Sequence, residues 1–128
     1  MRTSGRPTDL ELEILKILWQ RGPSSVREVL HAISDRRPVG YTTILKMLQI
    51  MTDKGLVVCD TTRRAHVYRP REARRAVLGR LVNDLLERAF DGSAEQLVLH
   101  ALHGKRAKPE ELAEIRRLLD AMERAKAR

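Results

Sequence analysis

The sequence predicts a mainly α fold carrying one small β hairpin, and three observations predict it. Apolar residues recur at helical spacing through six stretches, β-branched residues crowd into a single run after Gly55, and Gly or Pro punctuates the joins. The 128 residues are 42% apolar and 33% charged, with seven Gly and five Pro, a composition that excludes a disordered or collagenous chain. The length suits one domain, or a small domain with an appendage.

The first eight residues, with Arg2, Gly5, Arg6 and Pro7, read as a flexible basic arm. From Asp9, a good N-cap, Leu10, Ile14, Leu15, Ile17, Leu18 and Trp19 form the stripe of a first helix that Gly22 and Pro23 end. Ser24 or Ser25 caps a second, in which Val26, Val29, Leu30 and Ile33 share a face. Gly40 opens a third from Tyr41 to Lys54, with Ile44, Met47, Leu48 and Met51 as its apolar stripe and Gly55 as its stop. The segments LVVCD, TTRR and AHVYR then predict two strands joined by a basic tip. Three helices followed by a hairpin is the order of a winged helix-turn-helix, expected over residues 1–70.

After Pro70 no β-rich run remains, and residues 71–128 are expected to form a C-terminal three-helix dimerisation module. The first of these helices runs from Arg71 to Phe90, and its apolar positions span about half the circumference at 3.6 residues per turn. Asp91 and Gly92 break it, and Ser93 caps the next, which continues to Gly104. Pro109 opens the last helix, which runs out in Lys126, Ala127 and Arg128. Two short companions cannot cover so wide a band, so pairing of two chains is expected. The expected pairing surface is Val77, Leu78, Leu81, Val82, Leu85, Leu86 and Phe90, with Leu97, Val98, Leu102, Ile115 and Leu119.

Twenty-five Lys and Arg against 17 Asp and Glu give a formal charge of +8, the footprint of a chain that meets polyanions. The charge is concentrated ahead of Arg71: residues 1–70 hold 12 basic and 7 acidic side chains, and the remainder 13 and 10. Four aromatics are too few for single-strand stacking platforms, so duplex DNA is the expected partner. On the third helix Thr42, Lys46, Gln49 and Asp53 lie opposite the apolar stripe, flanked by Thr43 and Ile50. The hydroxyl, ammonium and amide groups of Thr42, Thr43, Lys46 and Gln49 suit base edges and phosphates in the major groove. Arg63, Arg64 and His66 suit a wing on the backbone or minor groove, with Ser24, Arg27, Tyr41 and Arg6 as further backbone contacts. A merely solvated polar face is the bland alternative for the helix, and the basic hairpin beside it weighs against that.

Other chemistries find little support. The lone Cys59 cannot form an intrachain disulfide or a thiolate metal site and is expected to pack, which suits a reducing cytoplasm. No apolar run approaches the roughly 18 residues of a membrane span, so neither export nor membrane insertion is expected. No phosphate loop, nucleophile constellation or carboxylate pair points to an enzyme, and no cofactor is expected. His100 and His103 share a helix face without a completing ligand, so no metal is expected there.

Glu11, Leu12, Glu13, Ile14, Leu15 through Trp19, then Val26 to Val29, YTTILKMLQIMTDKGLV from Tyr41 to Val57, and RAHVYRP from Arg64 to Pro70 resemble the penicillinase-repressor (BlaI/MecI and CopY) family of transcription factors. SAEQLVLHAL from Ser93 and ELAEIRRLLD from Glu111 resemble its C-terminal dimerisation region. The resemblance implies a homodimeric repressor with an inverted-repeat operator. A nonspecific architectural DNA-binding protein is the alternative. The resemblance also implies relief by proteolysis in the C-terminal module, triggered by a membrane-bound sensor metallopeptidase directly or through its signalling, at the position that His100 and Ala101 occupy here. Those two residues replace the Asn-Phe pair of the penicillinase type, whereas Leu97, Val98 and Leu99 are kept. No cysteine follows Cys59, so the metal motif of the copper-responsive branch is missing.

Overall fold

The computed structural model describes residues 6–103 and 107–127. Arg2 and Gly5 of the expected arm, Gly104 and Arg128 lie outside the described residues. The elements are α1 (Asp9–Arg21), α2 (Val26–Ile33), α3 (Tyr41–Lys54), β1 (Val57–Asp60), β2 (Val67–Pro70), α4 (Arg74–Ala89), α5 (Ala94–Leu102) and α6 (Pro109–Ala127). A mostly helical chain with a two-stranded antiparallel hairpin is the winged-helix arrangement the sequence predicts.

Side-chain caps set the first helix starts. Thr8, not Asp9, caps α1: its hydroxyl accepts from the Glu11 N–H at 3.2 Å, and the Glu11 carboxylate accepts from the Thr8 N–H at 2.9 Å. Asp9 becomes the first helical residue, where its charge meets the positive end of the helix. Ser25 and Glu28 form the same reciprocal box on α2. Gly55 ends α3 at φ 81°, a left-handed turn that a side chain would strain.

Chain compactness divides the protein into two units, the first through Leu81 and the second from Val82, so the division falls within α4. In the first unit Ile14, Leu15 and Leu18 of α1, Val29 and Ile33 of α2, and Ile44, Leu48 and Met51 of α3 form the core with Val57 and Tyr68. The hairpin pairs Val57 with Pro70, Val58 with Arg69, Cys59 with Tyr68 and Asp60 with Val67. Ser24 adds a bridge to Tyr68, with the Ser24 N–H donating to the Tyr68 carbonyl at 2.9 Å and the Tyr68 N–H returning at 2.8 Å. The hairpin is thereby hooked to the turn that enters α2.

A part-buried ion pair ties the start of α1 to the end of α3. The Lys54 ammonium in the last turn of α3 reaches both oxygens of Glu11, at 2.8 and 2.9 Å, and the Glu11 side chain is only 2% exposed. Glu11 therefore caps α1 and anchors α3 with one carboxylate.

The helix expected from Arg71 begins instead at Arg74, because the preceding backbone is engaged elsewhere. The Arg71 N–H donates to the Leu56 carbonyl at 3.0 Å, and the Trp19 indole N–H donates to the Glu72 carbonyl at 3.0 Å. Arg80 grips the Glu72 carboxylate through two bonds, at 2.8 and 2.6 Å, which holds that carboxyl below its ordinary range.

The second unit contains the end of α4, then α5 and α6. Asp91 at φ 50° and Gly92 at φ 80° turn the chain out of α4, and the Ser93 hydroxyl caps α5 by accepting from the Gln96 N–H at 3.2 Å. Not one described side chain from Val82 onward is buried. Among the described residues, no helix is long and apolar enough to cross a membrane.

Candidate nucleic-acid interface

The third helix is built to show one face. Ile44, Leu48 and Met51 are completely buried, while Thr42, Thr43, Lys46 and Gln49 are exposed on the other side with Ile50 and Asp53 beside them. The i, i+3, i+4 spacing that seats the apolar stripe is the same geometry that turns the polar residues outward. The exposed set offers two hydroxyls, an ammonium and an amide within two turns of helix.

The loop between the strands is ordered by its own carboxylate. Asp60 accepts from the Thr62 hydroxyl at 2.7 Å and from the Thr62 N–H at 3.0 Å. These bonds, helped by the charges of Arg63 and Arg69, hold its carboxyl below the ordinary value. The turn so formed leaves Arg63, Arg64 and His66 exposed. Within the hairpin, burial pushes the Tyr68 phenol up to about 12, reinforced by its hydrogen bond to Cys59, so it stays neutral at physiological pH. Cys59 is half-buried against the core.

Arg27 and Tyr41 join α2 to the start of α3. The guanidinium lies 5.3 Å from the ring centroid of Tyr41, and both residues are exposed. Stacking of this kind orients the guanidinium plane and leaves its N–H groups free to donate. Arg6 is exposed ahead of α1. Ser24 is a correction: it is buried, its backbone bridges Tyr68, and its hydroxyl donates to the Gly22 carbonyl at 2.9 Å. Its role is to hold the hairpin.

The expected pairing surface also needs one correction. Val77 is buried within the first unit and has no area to offer a second chain. Leu78, Leu81, Leu86, Phe90, Leu97, Leu102 and Ile115 are half-buried, and Val82, Leu85, Val98 and Leu119 are exposed. Leu99, Leu112, Leu118 and Met122 are exposed as well and extend the apolar face beyond the residues expected for it. Leu112, Leu118 and Met122 lie on the helical repeat, so periodicity contained the signal for them. His100 and Ala101 are exposed on α5, with the His100 Nδ1 at 2.9 Å from the Gln96 carbonyl and its ring 5.3 Å from that of Phe90.

Comparison with known proteins bears on this arrangement directly. The Penicillinase repressor family profile matches residues 7–121. The transcriptional regulator BlaI of Mycobacterium tuberculosis is 36% identical over 117 residues, covering 90% of this chain and 83% of the relative. The penicillinase repressor of Bacillus licheniformis is 26% identical over 113 residues, 88% of each chain. Among solved structures, the DNA-binding domain of the repressor BlaI aligns with a TM-score of 0.51 at 27% identity, over 58% of this chain and 90% of that one. The monomeric form of Bacillus licheniformis BlaI in complex with the blaP half-operator aligns over the same shares with a TM-score of 0.50 and 27% identity. A match reaching from the residue before the α1 cap into the last helix, on a winged-helix framework, makes this chain a member of the penicillinase repressor family of transcriptional repressors.

Proposed function

We propose that the chain is a sequence-specific DNA-binding repressor that acts as a homodimer. Each winged head, residues 1–70, sets α3 into the major groove of one half of an inverted-repeat operator, and residues 71–128 pair the two chains. Bound across a promoter, the dimer excludes the transcription machinery. The observation that carries this reading is the two-sided α3, whose outward Thr42, Thr43, Lys46 and Gln49 are exposed, as are Arg63 and Arg64 of the wing. The solved half-operator complex of a relative with the same framework supports it. Pairing is supported by a second unit without a buried side chain among its described residues. Such a repressor works where the chromosome is, in the cytoplasm.

Lys and Arg on the wing supply affinity through phosphates, and α3 supplies choice of sequence. Lys46→Ala is expected to cost about 1–3 kcal/mol on the operator and to relax base preference. Arg63→Ala and Arg64→Ala are expected to weaken operator and random duplex alike, each flattening the salt slope by about one. Fluorescence anisotropy titrations on both duplexes across salt check this. Equal losses on operator and random DNA for Lys46→Ala would contradict base reading and favour a nonspecific architectural protein.

The same reading includes relief by a membrane-bound sensor metallopeptidase cutting between His100 and Ala101. A protease needs an extended substrate, and α5, nine residues long with none buried, opens at little cost. Mass spectrometry of the chain from induced cells should find a fragment ending at His100; a chain that stays whole while its genes are switched on ends this part of the proposal.

A further inference from the structure

A groove of about 920 Å³ runs between α2 and the hairpin loop. Its walls carry Arg21 from the end of α1, Arg27 and His31 from α2, and Arg63 and Arg64 from the loop. Two acidic residues share the walls, Glu28 and Asp35, and Glu28 is already committed to the Ser25 N–H at 2.8 Å. Elsewhere guanidiniums sit against carboxylates, as in Arg37 with Glu13, Arg80 with Glu72 and Arg117 with Glu114. Among the described residues, Arg21, Arg63 and Arg64 form no ion pair. Like charges drawn from three elements onto one concave wall repel one another in the free protein and are relieved by a polyanion that releases its counterions.

We propose that this groove receives the sugar-phosphate backbone of DNA flanking the half-site read by α3, with Arg21 and His31 as contacts beyond those of the recognition helix and wing. The proposal rests on the DNA-binding reading above and names where the duplex continues. Arg27 makes the connection, since it lines both the groove and the adjoining pocket of Tyr41, Leu45 and His66, and stacks on Tyr41 at the start of α3. The lining suits phosphate: its guanidiniums, imidazole and Ser25 hydroxyl can all donate, and neither Asn nor Gln is present to read an adenine edge. Contacts of this kind lengthen the footprint without adding sequence preference.

The test uses the full chain and the inverted repeat that it selects from random-sequence duplex, prepared once with long flanks and once trimmed to the ends of the repeat. Arg21→Ala, at an exposed position, is expected to weaken binding to the flanked duplex about five-fold and to flatten its salt slope by about one, with the trimmed duplex unaffected. His31→Ala should show the same dependence on flanks with a smaller loss. Equal loss on both duplexes, or none on either, overturns the groove assignment while leaving the repressor reading intact. Displacement of wild type from flanked but not trimmed DNA by millimolar pyrophosphate agrees with the proposal; saturable pyrophosphate binding that leaves DNA binding untouched overturns it in favour of a small-anion pocket. If wild type selects no inverted repeat from random-sequence duplex, the groove assignment and the repressor reading fall together.

Discussion

Leu119→Asp is expected to leave the chain solitary at concentrations where wild type is paired, and to weaken binding to a two-half-site operator by about 10²–10⁴-fold. Binding to an isolated half-site should be unchanged. Leu119 is 52% exposed in the single chain, and Leu118 and Met122 near it are equally open to water. The substitution therefore removes little packing within one protomer, and its helix-propensity cost is at most about 0.7 kcal/mol. At an apolar interface the same carboxylate would lose its water without gaining a partner, a cost of several kcal/mol. Sedimentation equilibrium and anisotropy on whole and half operators measure the two effects, with Leu119→Met as a control that keeps the interface. A Leu119→Asp chain that pairs as tightly as wild type would remove α6 from the interface.

Lys54→Ala is expected to destabilise the first unit by about 2–4 kcal/mol, read by urea unfolding of the full chain. The loss comes from what stays behind. Glu11 is 2% exposed and would keep only the Thr8 N–H on one oxygen, with no cation to offset its burial. The opposite change is milder: in Glu11→Gln the amide oxygen still accepts from Thr8, and Lys54, 30% exposed, can turn to solvent. A double-mutant cycle with Glu11→Gln should show strong coupling between the two sites. A larger loss for Glu11→Gln than for Lys54→Ala would show that the cost does not come from leaving the Glu11 carboxylate buried without its cation. The pair also holds the last turn of α3 to the first turn of α1, so Lys54→Ala is expected to weaken operator binding even where the chain remains folded.

The order of elements was legible because each helix repeats its apolar residues at 3.6 and the hairpin follows a glycine that ends α3. Ile44, Leu48 and Met51 buried and Lys46 exposed are one periodicity seen from two sides. The pairing of Glu11 with Lys54 was not legible, since nothing in local spacing connects residues 43 apart. Half of it was within reach: Thr8-Asp9-Leu10-Glu11 is a capping-box pattern, and it places the cap at Thr8. Ser24 looked like a backbone contact for DNA because hydroxyls at helix starts often are; a single bridge to Tyr68, far along the sequence, buried it instead. Val77 shares its stripe with Leu81 and Val82, and periodicity alone could not tell that the stripe changes environment along α4. The late start of that helix has a similar origin, because the Glu72 carbonyl is held by a tryptophan 53 positions earlier.

A second unit without a buried side chain among its described residues also bears on dosage. On the pairing proposed above, the number of mated pairs where chains are scarce rises with the square of their abundance, so halving the cellular stock would leave a quarter of the operator-competent species. Dilution by cell growth would then switch genes on more steeply than the change in protein level that caused it.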